Sequence, residues 1–126
     1  MVPVLSVLLV EDEPMIALMV ADIVEAQCLG VAGVFRANAE ALCFLHHCRP
    51  DAAIVDYSLA DGRAGPLARK LKEQGTPFCV ISGYHRSVAG PLFDGVVWID
   101  KPFSEGELCC ALRACLQKSA ELPSYV

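Results

Sequence analysis

Short apolar runs alternate along the chain with longer stretches in which apolar positions recur every three or four residues. Short apolar runs are typical of strands buried on both faces of a parallel sheet, whereas the longer period is that of an α-helix. Strands are predicted over residues 4–10, 31–35, 52–56, 77–82 and 96–99. The alternation predicts an α/β fold, a doubly wound five-stranded parallel sheet with right-handed crossovers and helices on both faces.

The segments between these strands carry helix signals, with one exception. Helices are predicted over residues 15–27, 39–47 and 66–74, and from the capping box Ser104–Glu107 to about residue 118. Asn38 is expected to cap the second of these helices. Residues 83–95 contain a Gly-Pro pair and lack a helical period, so we expect the fourth helix to be short, bent or mobile, or to be missing.

Length and hydropathy indicate one domain. The 126 residues are 55% hydrophobic, enough for a core over about residues 4–118, with a frayed tail and no output domain expected. No apolar stretch approaches the roughly 18 residues of a membrane span, and the first ten residues lack the features of a signal peptide. We therefore expect a cytoplasmic protein without membrane contact.

Charge and cysteine content exclude two further classes. A net charge of −5 repels phosphate backbones, which argues against nucleic acid as a direct partner. The seven cysteines form no CxxC pair and fit neither a zinc finger nor a disulfide framework. Most of them fall inside apolar helix or strand patterns, where we expect a reduced cysteine to act as a small apolar residue.

Chemically active residues follow the predicted strands. Glu11 and Asp12 follow the first strand, Asp56 ends the third, Ser82 ends the fourth and Lys101 follows the fifth. In an open parallel sheet these carboxyl ends form the ligand site. Clustered carboxylates stay ionised together only with a cation among them, and oxygen ligands of this kind favour Mg²⁺. The set predicts phosphoryl transfer, with Asp56 as the nucleophile.

The segments VEDEP, IVDYSL, VISGY and DKPF resemble, in order and spacing, the motifs of response-regulator receiver domains. The resemblance implies a flavodoxin/CheY-like sheet of strand order 2-1-3-4-5. It also implies a stand-alone regulator that takes a phosphoryl group on Asp56 from a histidine kinase or a histidine phosphotransfer protein. Such a protein catalyses only its own phosphorylation and dephosphorylation. It signals by protein contact or serves as a phosphate shuttle or sink.

The resemblance also assigns roles to individual residues. Asp12, Asp56 and the backbone carbonyl of Ser58 would bind Mg²⁺, with Glu11 acting through water. Ser82 and Lys101 would hold the phosphoryl oxygens. The peptide bond between Lys101 and Pro102 is expected to be cis.

Longer segments are similar to the FATGUY subgroup of single-domain receivers, known from alphaproteobacteria. These segments are LVEDEPMIALMVAD, LKEQGTPFCVISGY and IDKPF. Members pair with sensor kinases of the HWE type, often in stress signalling, and their fourth helix is short or dynamic. In this chain Val80 and Ile81 stand where Phe and Ala are typical, and Ser82 replaces Thr with the hydroxyl kept.

Switching and docking residues are expected from the same resemblance and from the first helix. Trp98 occupies the position of the switching aromatic on the fifth strand, and the alternative is a static Trp packed under the last helix. Tyr84 competes for this role or gates access to Asp56. The first helix is apolar nearly all round, so Met15 and Met19 are candidate docking residues for a kinase or phosphotransfer bundle, or else isolated exposed residues. A monomer and a weak homodimer are both compatible with these motifs.

Three other classes share parts of this pattern. An FMN-binding flavodoxin needs a phosphate-binding loop after the first strand, where Glu11–Glu13 would repel the phosphate. A haloacid-dehalogenase-type phosphatase needs a second Asp two residues after its nucleophile, and Ser58 stands there. A pseudo-receiver that binds partners without phosphorylation remains as the alternative function, to be separated by a phosphorylation assay.

Overall fold

The computed structural model describes residues 4–121, with side chains to residue 118, and contains seven strands and four α-helices in this range. The strands are β1 (Ser6–Val10), β2 (Gly30–Phe35), β3 (Ala52–Asp56), β4 (Ser58–Leu59), β5 (Gly62–Arg63), β6 (Phe78–Ser82) and β7 (Val97–Asp100). The helices are α1 (Pro14–Ala26), α2 (Asn38–Leu45), α3 (Gly65–Gln74) and α4 (Glu105–Glu121).

Five of the strands form one parallel sheet in the order β2-β1-β3-β6-β7. The remaining two, β4 and β5, pair with each other as a short antiparallel hairpin directly after β3. When only the strands of the main sheet are counted, their order is 2-1-3-4-5, so the predicted doubly wound topology is confirmed.

Hydrophobic cores cover both faces of the sheet. Leu8, Val55 and Val80 contribute to the core shared with α2 and α3. Their chain neighbours, such as Leu9 and Ile54, contribute to the core shared with α1 and α4. Because successive strand residues point to opposite faces, a strand covered on both sides must be apolar at every position. This is the reason why the strands appear in the sequence as continuous apolar runs.

The connection between β6 and β7 contains two 3₁₀ turns, Arg86–Val88 and Pro91–Phe93, in place of an α-helix. The expectation of a short or missing fourth helix is thereby confirmed. The Arg86 guanidinium donates hydrogen bonds to the backbone oxygens of Phe93 (3.2 Å) and Val96, and so ties the first turn to the chain beyond the second.

The N-terminus of α2 is capped from a distance. Asn38 lies within the helix and does not cap it, so the expectation for this residue is wrong. Asp61 instead accepts hydrogen bonds from the backbone amides of Asn38 (2.8 Å) and Ala39 (3.1 Å) through its two carboxylate oxygens. These amide contacts lower the pKa of Asp61. The loop after β3 is therefore fastened to the start of α2.

The last helix begins at the predicted capping box. The Ser104 amide donates to Glu107 Oε1 (3.0 Å) and the Glu107 amide donates to Ser104 Oγ (3.1 Å). The helix extends to Glu121, slightly beyond the predicted end, and the rest of the predicted frayed tail lies outside the described residues. Within residues 4–121, no helix combines the length and the apolar character needed to cross a bilayer.

Candidate functional site

Four carboxylates meet at the carboxyl edge of the sheet, at the ends of β1 and β3. Glu11, Asp12, Glu13 and Asp56 each offer one oxygen atom, and these atoms all lie within 4.8 Å of one another. The cluster forms because β1 and β3 are adjacent and parallel, with Val10 paired to Val55, so that the residues after them also lie side by side. Glu11 and Asp56 are buried, whereas Glu13, which was not among the predicted site residues, is exposed.

The Lys101 side chain reaches into this cluster from the loop after β7. Its Nζ atom lies 2.9 Å from Asp56 Oδ2, 3.1 Å from Glu11 Oε1 and 3.6 Å from Glu13 Oε1. Partial burial lowers the pKa of Lys101, but the contacts with Asp56 and Glu11 outweigh it and hold the pKa above its usual value. The Lys101–Pro102 peptide bond is cis, as predicted. Lysine and carboxylates therefore form one connected charge network.

Glu11 is the most perturbed carboxyl group of the cluster. Burial, together with its contact with Asp56, raises the pKa of Glu11 to about 8. Its Oε2 atom accepts a hydrogen bond from the Glu13 amide (3.0 Å). Its Oε1 atom is buried and has no hydrogen-bond partner, although it forms an ion pair with Lys101 Nζ at 3.1 Å. One lysine does not balance this many carboxylates at close range, and the site lacks positive charge.

The donor set fits a hard divalent cation. All the convergent ligand atoms are oxygens, and one of them is buried without a hydrogen-bond partner. Asp12 is partly exposed and Glu13 is exposed, so a bound Mg²⁺ would be able to keep some of its waters. The predicted roles of Glu11, Asp12, Asp56 and the Ser58 carbonyl in binding Mg²⁺ are compatible with this arrangement and stay predictions.

Asp56 is held in one orientation by contacts to both of its oxygens. The Ser58 amide donates to Oδ1 (3.1 Å), while Lys101 occupies Oδ2. Ser82 ends the neighbouring strand β6, where Asp56 pairs with Ile81. The Ser82 side chain is buried and its Oγ atom accepts a hydrogen bond from the Tyr84 amide (2.8 Å), which leaves the hydroxyl proton available to an acceptor in the site.

A row of aromatic and arginine side chains lies beside the carboxylates. The Trp98 indole packs against Tyr57 with ring centroids 5.3 Å apart, and its Nε1 donates to the Tyr84 carbonyl (3.1 Å). Trp98 packs against the core on the side of α2 and α3 and not under the last helix, as the alternative had placed it, and whether the ring is static stays untested. The Arg63 guanidinium lies 4.4 Å from the Tyr84 ring centroid and 5.2 Å from that of Tyr57. Switching by Trp98 or Tyr84 stays a prediction.

Sequence reasoning missed Arg63 and Tyr57. Both follow Asp56 in the chain, but neither belongs to a periodic pattern or to a motif with a known spacing to Tyr84. Their contact with Tyr84 arises because the β4–β5 hairpin folds back next to the end of β6. Only Tyr57, directly after the predicted nucleophile, stood at a position that offered a signal.

Helix α1 exposes apolar side chains next to the site. Met15 is 79% exposed, Leu18 61% and Met19 44%, and we refer to these three residues as the α1 surface. Leu18 was not predicted, although it lies three residues after Met15 and therefore on the same side of the helix. The opposite side of α1 is buried in the core through residues such as Val20 and Val24. Docking at the α1 surface and the alternative of exposed residues without a function both stay predictions.

Comparisons with known proteins give a consistent picture. The chain matches no family model. It is 32% identical over 121 residues to the phyllosphere-induced regulator PhyR of Methylorubrum extorquens, covering 91% of this chain and 45% of PhyR. The chain thus spans less than half the length of that curated relative.

Solved structures resemble the chain over more than nine-tenths of its length. The solution structure of SdrG from Sphingomonas melonis is 32% identical, has a TM-score of 0.79, and covers 92% of this chain and 99% of SdrG. A CheY-like response-regulator receiver domain from Methanospirillum hungatei has a TM-score of 0.83 at 18% identity, covers 94% of this chain and 98% of that one, and shows the shared fold alone.

Proposed function

Because this chain belongs to the family of CheY-like response-regulator receiver domains, we propose that it accepts a phosphoryl group on Asp56 in a Mg²⁺-dependent reaction. The contact between Lys101 Nζ and Asp56 Oδ2 at 2.9 Å, within a cluster of four carboxylates, is the observation that carries the proposal. A buried aspartate oriented by a lysine at the carboxyl edge of a parallel sheet is suited to nucleophilic attack on phosphorus.

In the proposed reaction a carboxylate oxygen of Asp56 attacks the phosphorus of a phosphohistidine. The P–N bond breaks, its electron pair returns to the imidazole, and the imidazole takes up a proton. Lys101 compensates charge on the phosphoryl oxygens, and the Ser82 hydroxyl donates a hydrogen bond to one of them. Glu11, Asp12, Asp56 and the Ser58 carbonyl would hold Mg²⁺, which when bound supplies positive charge for the attacking and transferred oxygens.

The phosphoryl donor in this proposal is a histidine kinase, for example of the HWE type, or a histidine phosphotransfer protein. The α1 surface supports this choice. It is apolar, exposed and adjacent to the carboxylate cluster, since α1 begins directly after Glu13. A helical bundle that covers Met15, Leu18 and Met19 would bring a phosphohistidine close to Asp56.

As a regulator in the cytoplasm, the protein would signal by contact with another protein. Alternatively, it would serve as a shuttle that transfers phosphoryl groups to another protein, or as a sink that hydrolyses them. Its chemistry would be limited to its own phosphorylation and dephosphorylation. Membership of the FATGUY subgroup is part of the same proposal. The 32% identity to SdrG and to PhyR supports it, as does the missing fourth α-helix between β6 and β7.

Labelling with acetyl phosphate tests the proposal. With Mg²⁺ present, the wild type is expected to gain one phosphoryl group by intact-protein mass spectrometry, and Asp56→Asn none. Asp100→Asn is the matched control, because Asp100 ends β7 at the same sheet edge but is exposed and outside the cluster. An unlabelled wild type would contradict the proposal and favour a pseudo-receiver. Fluorescence of Trp98, the only tryptophan, reports in the same samples whether that ring responds.

A further inference from the structure

A cavity of about 440 Å³ opens at the edge of the sheet opposite to Asp56, where β6 and β7 begin. It lies between the C-terminal ends of α3 and α4 and plays no part in the proposed phosphoryl transfer. Its volume falls within the range of small-molecule sites, roughly 300–1,000 Å³.

The walls of the cavity are mainly apolar and its entrance is open. Phe78, Val96 and Val97 from the starts of the two strands contribute to its lining. Gly75 and Gly95 also line it, with φ angles of +72° and +79°, conformations that favour glycine. Apart from the adjoining residues of the chain, no heavy atom lies within 4 Å of the position that a Cβ atom would take at either glycine, so the space beside them is open.

The polar groups of the cavity have an excess of positive charge. Lys72 and Lys118 line it from the last turns of α3 and α4, and Asp94 is the acidic residue among the lining residues. With two lysines and one aspartate, the lining of the cavity has a net positive charge, although the chain as a whole has a net charge of −5. The contact with Cys79 lowers the pKa of Cys115 on the cavity wall; burial opposes this shift, and the charge of Lys118 adds to it.

Thr76 adds a polar group without a partner. The residue lines the cavity and is only 5% exposed, and its Oγ1 atom makes no hydrogen bond. A buried hydroxyl without a partner carries a desolvation cost.

We propose that this cavity binds a small amphipathic anion, an apolar chain or ring that carries a carboxylate. The apolar part would contact Phe78, Val96 and Val97, and the carboxylate would lie between Lys72 and Lys118. An apolar cavity with two cations at its rim and an unpaired hydroxyl in its wall is complementary to this class of compound and to neither a free cation nor a neutral sugar.

Decanoate binding to the full chain tests the proposal. Titration followed by amide NMR shifts is expected to show saturable one-to-one binding, with the largest shifts at Gly75, Thr76 and Gly95. The double variant Lys72→Met/Lys118→Met should weaken binding by about 3- to 10-fold, the effect of two partly exposed ion pairs. The neutral analogue 1-decanol should bind the wild type and the double variant equally.

The matched control is Lys70→Met/Arg113→Met, which removes one positive charge from each of the same two helices outside the cavity. We expect its affinity for decanoate to stay within twofold of the wild type. Lysines near helix C-termini also stabilise the helix end, so thermal unfolding of both double variants is measured alongside. The proposal is overturned by absence of saturable binding, by equal weakening in both double variants, or by shifts centred on Asp56 or on the α1 surface.

Discussion

Replacing Glu11 by Gln should stabilise the protein near neutral pH in the absence of Mg²⁺. The Glu11 pKa is about 8 in the folded protein against 4.5 for the free group, so the folded state binds the extra proton between these values. A pKa raised on folding contributes stability that is complete below pH 4.5 and is lost as the pH rises toward 8. At about 1.4 kcal/mol for each pH unit, the wild type should lose about 3 kcal/mol relative to Glu11→Gln between pH 4.5 and about pH 7.

Urea unfolding at about pH 5 and about pH 7.5 measures this difference. With a slope of about 1.5 kcal/mol per molar urea, 3 kcal/mol corresponds to a shift of about 2 M in the midpoint. Glu13→Gln is the control, because that side chain is 61% exposed, and it should show no such dependence on pH. Added Mg²⁺ should restore stability to the wild type at the higher pH and much less to Glu11→Gln. An equal difference between Glu11→Gln and wild type at both pH values would refute the reasoning.

Three further changes test other parts of the molecule. Lys101→Met should slow labelling of Asp56 by acetyl phosphate about 100-fold, because it removes the positive charge next to Asp56, and Lys101→Arg should recover part of the rate. Labelling rates by mass spectrometry that are unchanged in both variants would exclude a role of Lys101 in the transfer. Asp61→Asn should lower the thermal midpoint by circular dichroism at neutral pH. Because folding lowers the Asp61 pKa, the difference in thermal midpoint between wild type and Asp61→Asn should shrink as the pH falls below 3.8. A difference in midpoint that does not depend on pH would count against the capping of α2 by Asp61. Leu18→Lys should slow phosphotransfer from a cognate kinase at least tenfold without changing the rate of labelling by acetyl phosphate. The control Val88→Lys, also at an exposed apolar position, should change neither rate. Equal effects of Leu18→Lys and Val88→Lys on phosphotransfer would argue against docking at the α1 surface.

Much of the fold was predictable because its signals are local. Strands covered on both faces must be apolar at every position, so β3 was predicted with its observed ends, Ala52 and Asp56. The capping box of Ser104 and Glu107 joins residues three apart, and Gly75 ends α3 in a left-handed conformation. Such features depend on near neighbours in the chain and are therefore visible without tertiary structure.

The candidate site was predictable in part for the same reason. Carboxyl ends of parallel strands share one edge of the sheet, and this rule alone predicts that Glu11, Asp56, Ser82 and Lys101 lie at that edge. The chain order did not reveal which carboxylates of Glu11–Glu13 are buried. Glu11 is 3% exposed and Glu13 is exposed, because only the first of them remains in line with the strand beside Asp56.

The sequence by itself determined the order of the α-helices and of the five strands of the main sheet, the chemical groups at the carboxyl edge and the missing fourth α-helix, but not the β4–β5 hairpin. Tertiary structure alone decided the capping of α2 by Asp61, 23 residues away from Asn38, the stacking of Arg63 on Tyr84, and the cavity between α3 and α4. The physical reason is that periodicity and capping act between residues a few positions apart. Contacts between distant segments depend on the register and packing of whole elements, which no short stretch of sequence encodes.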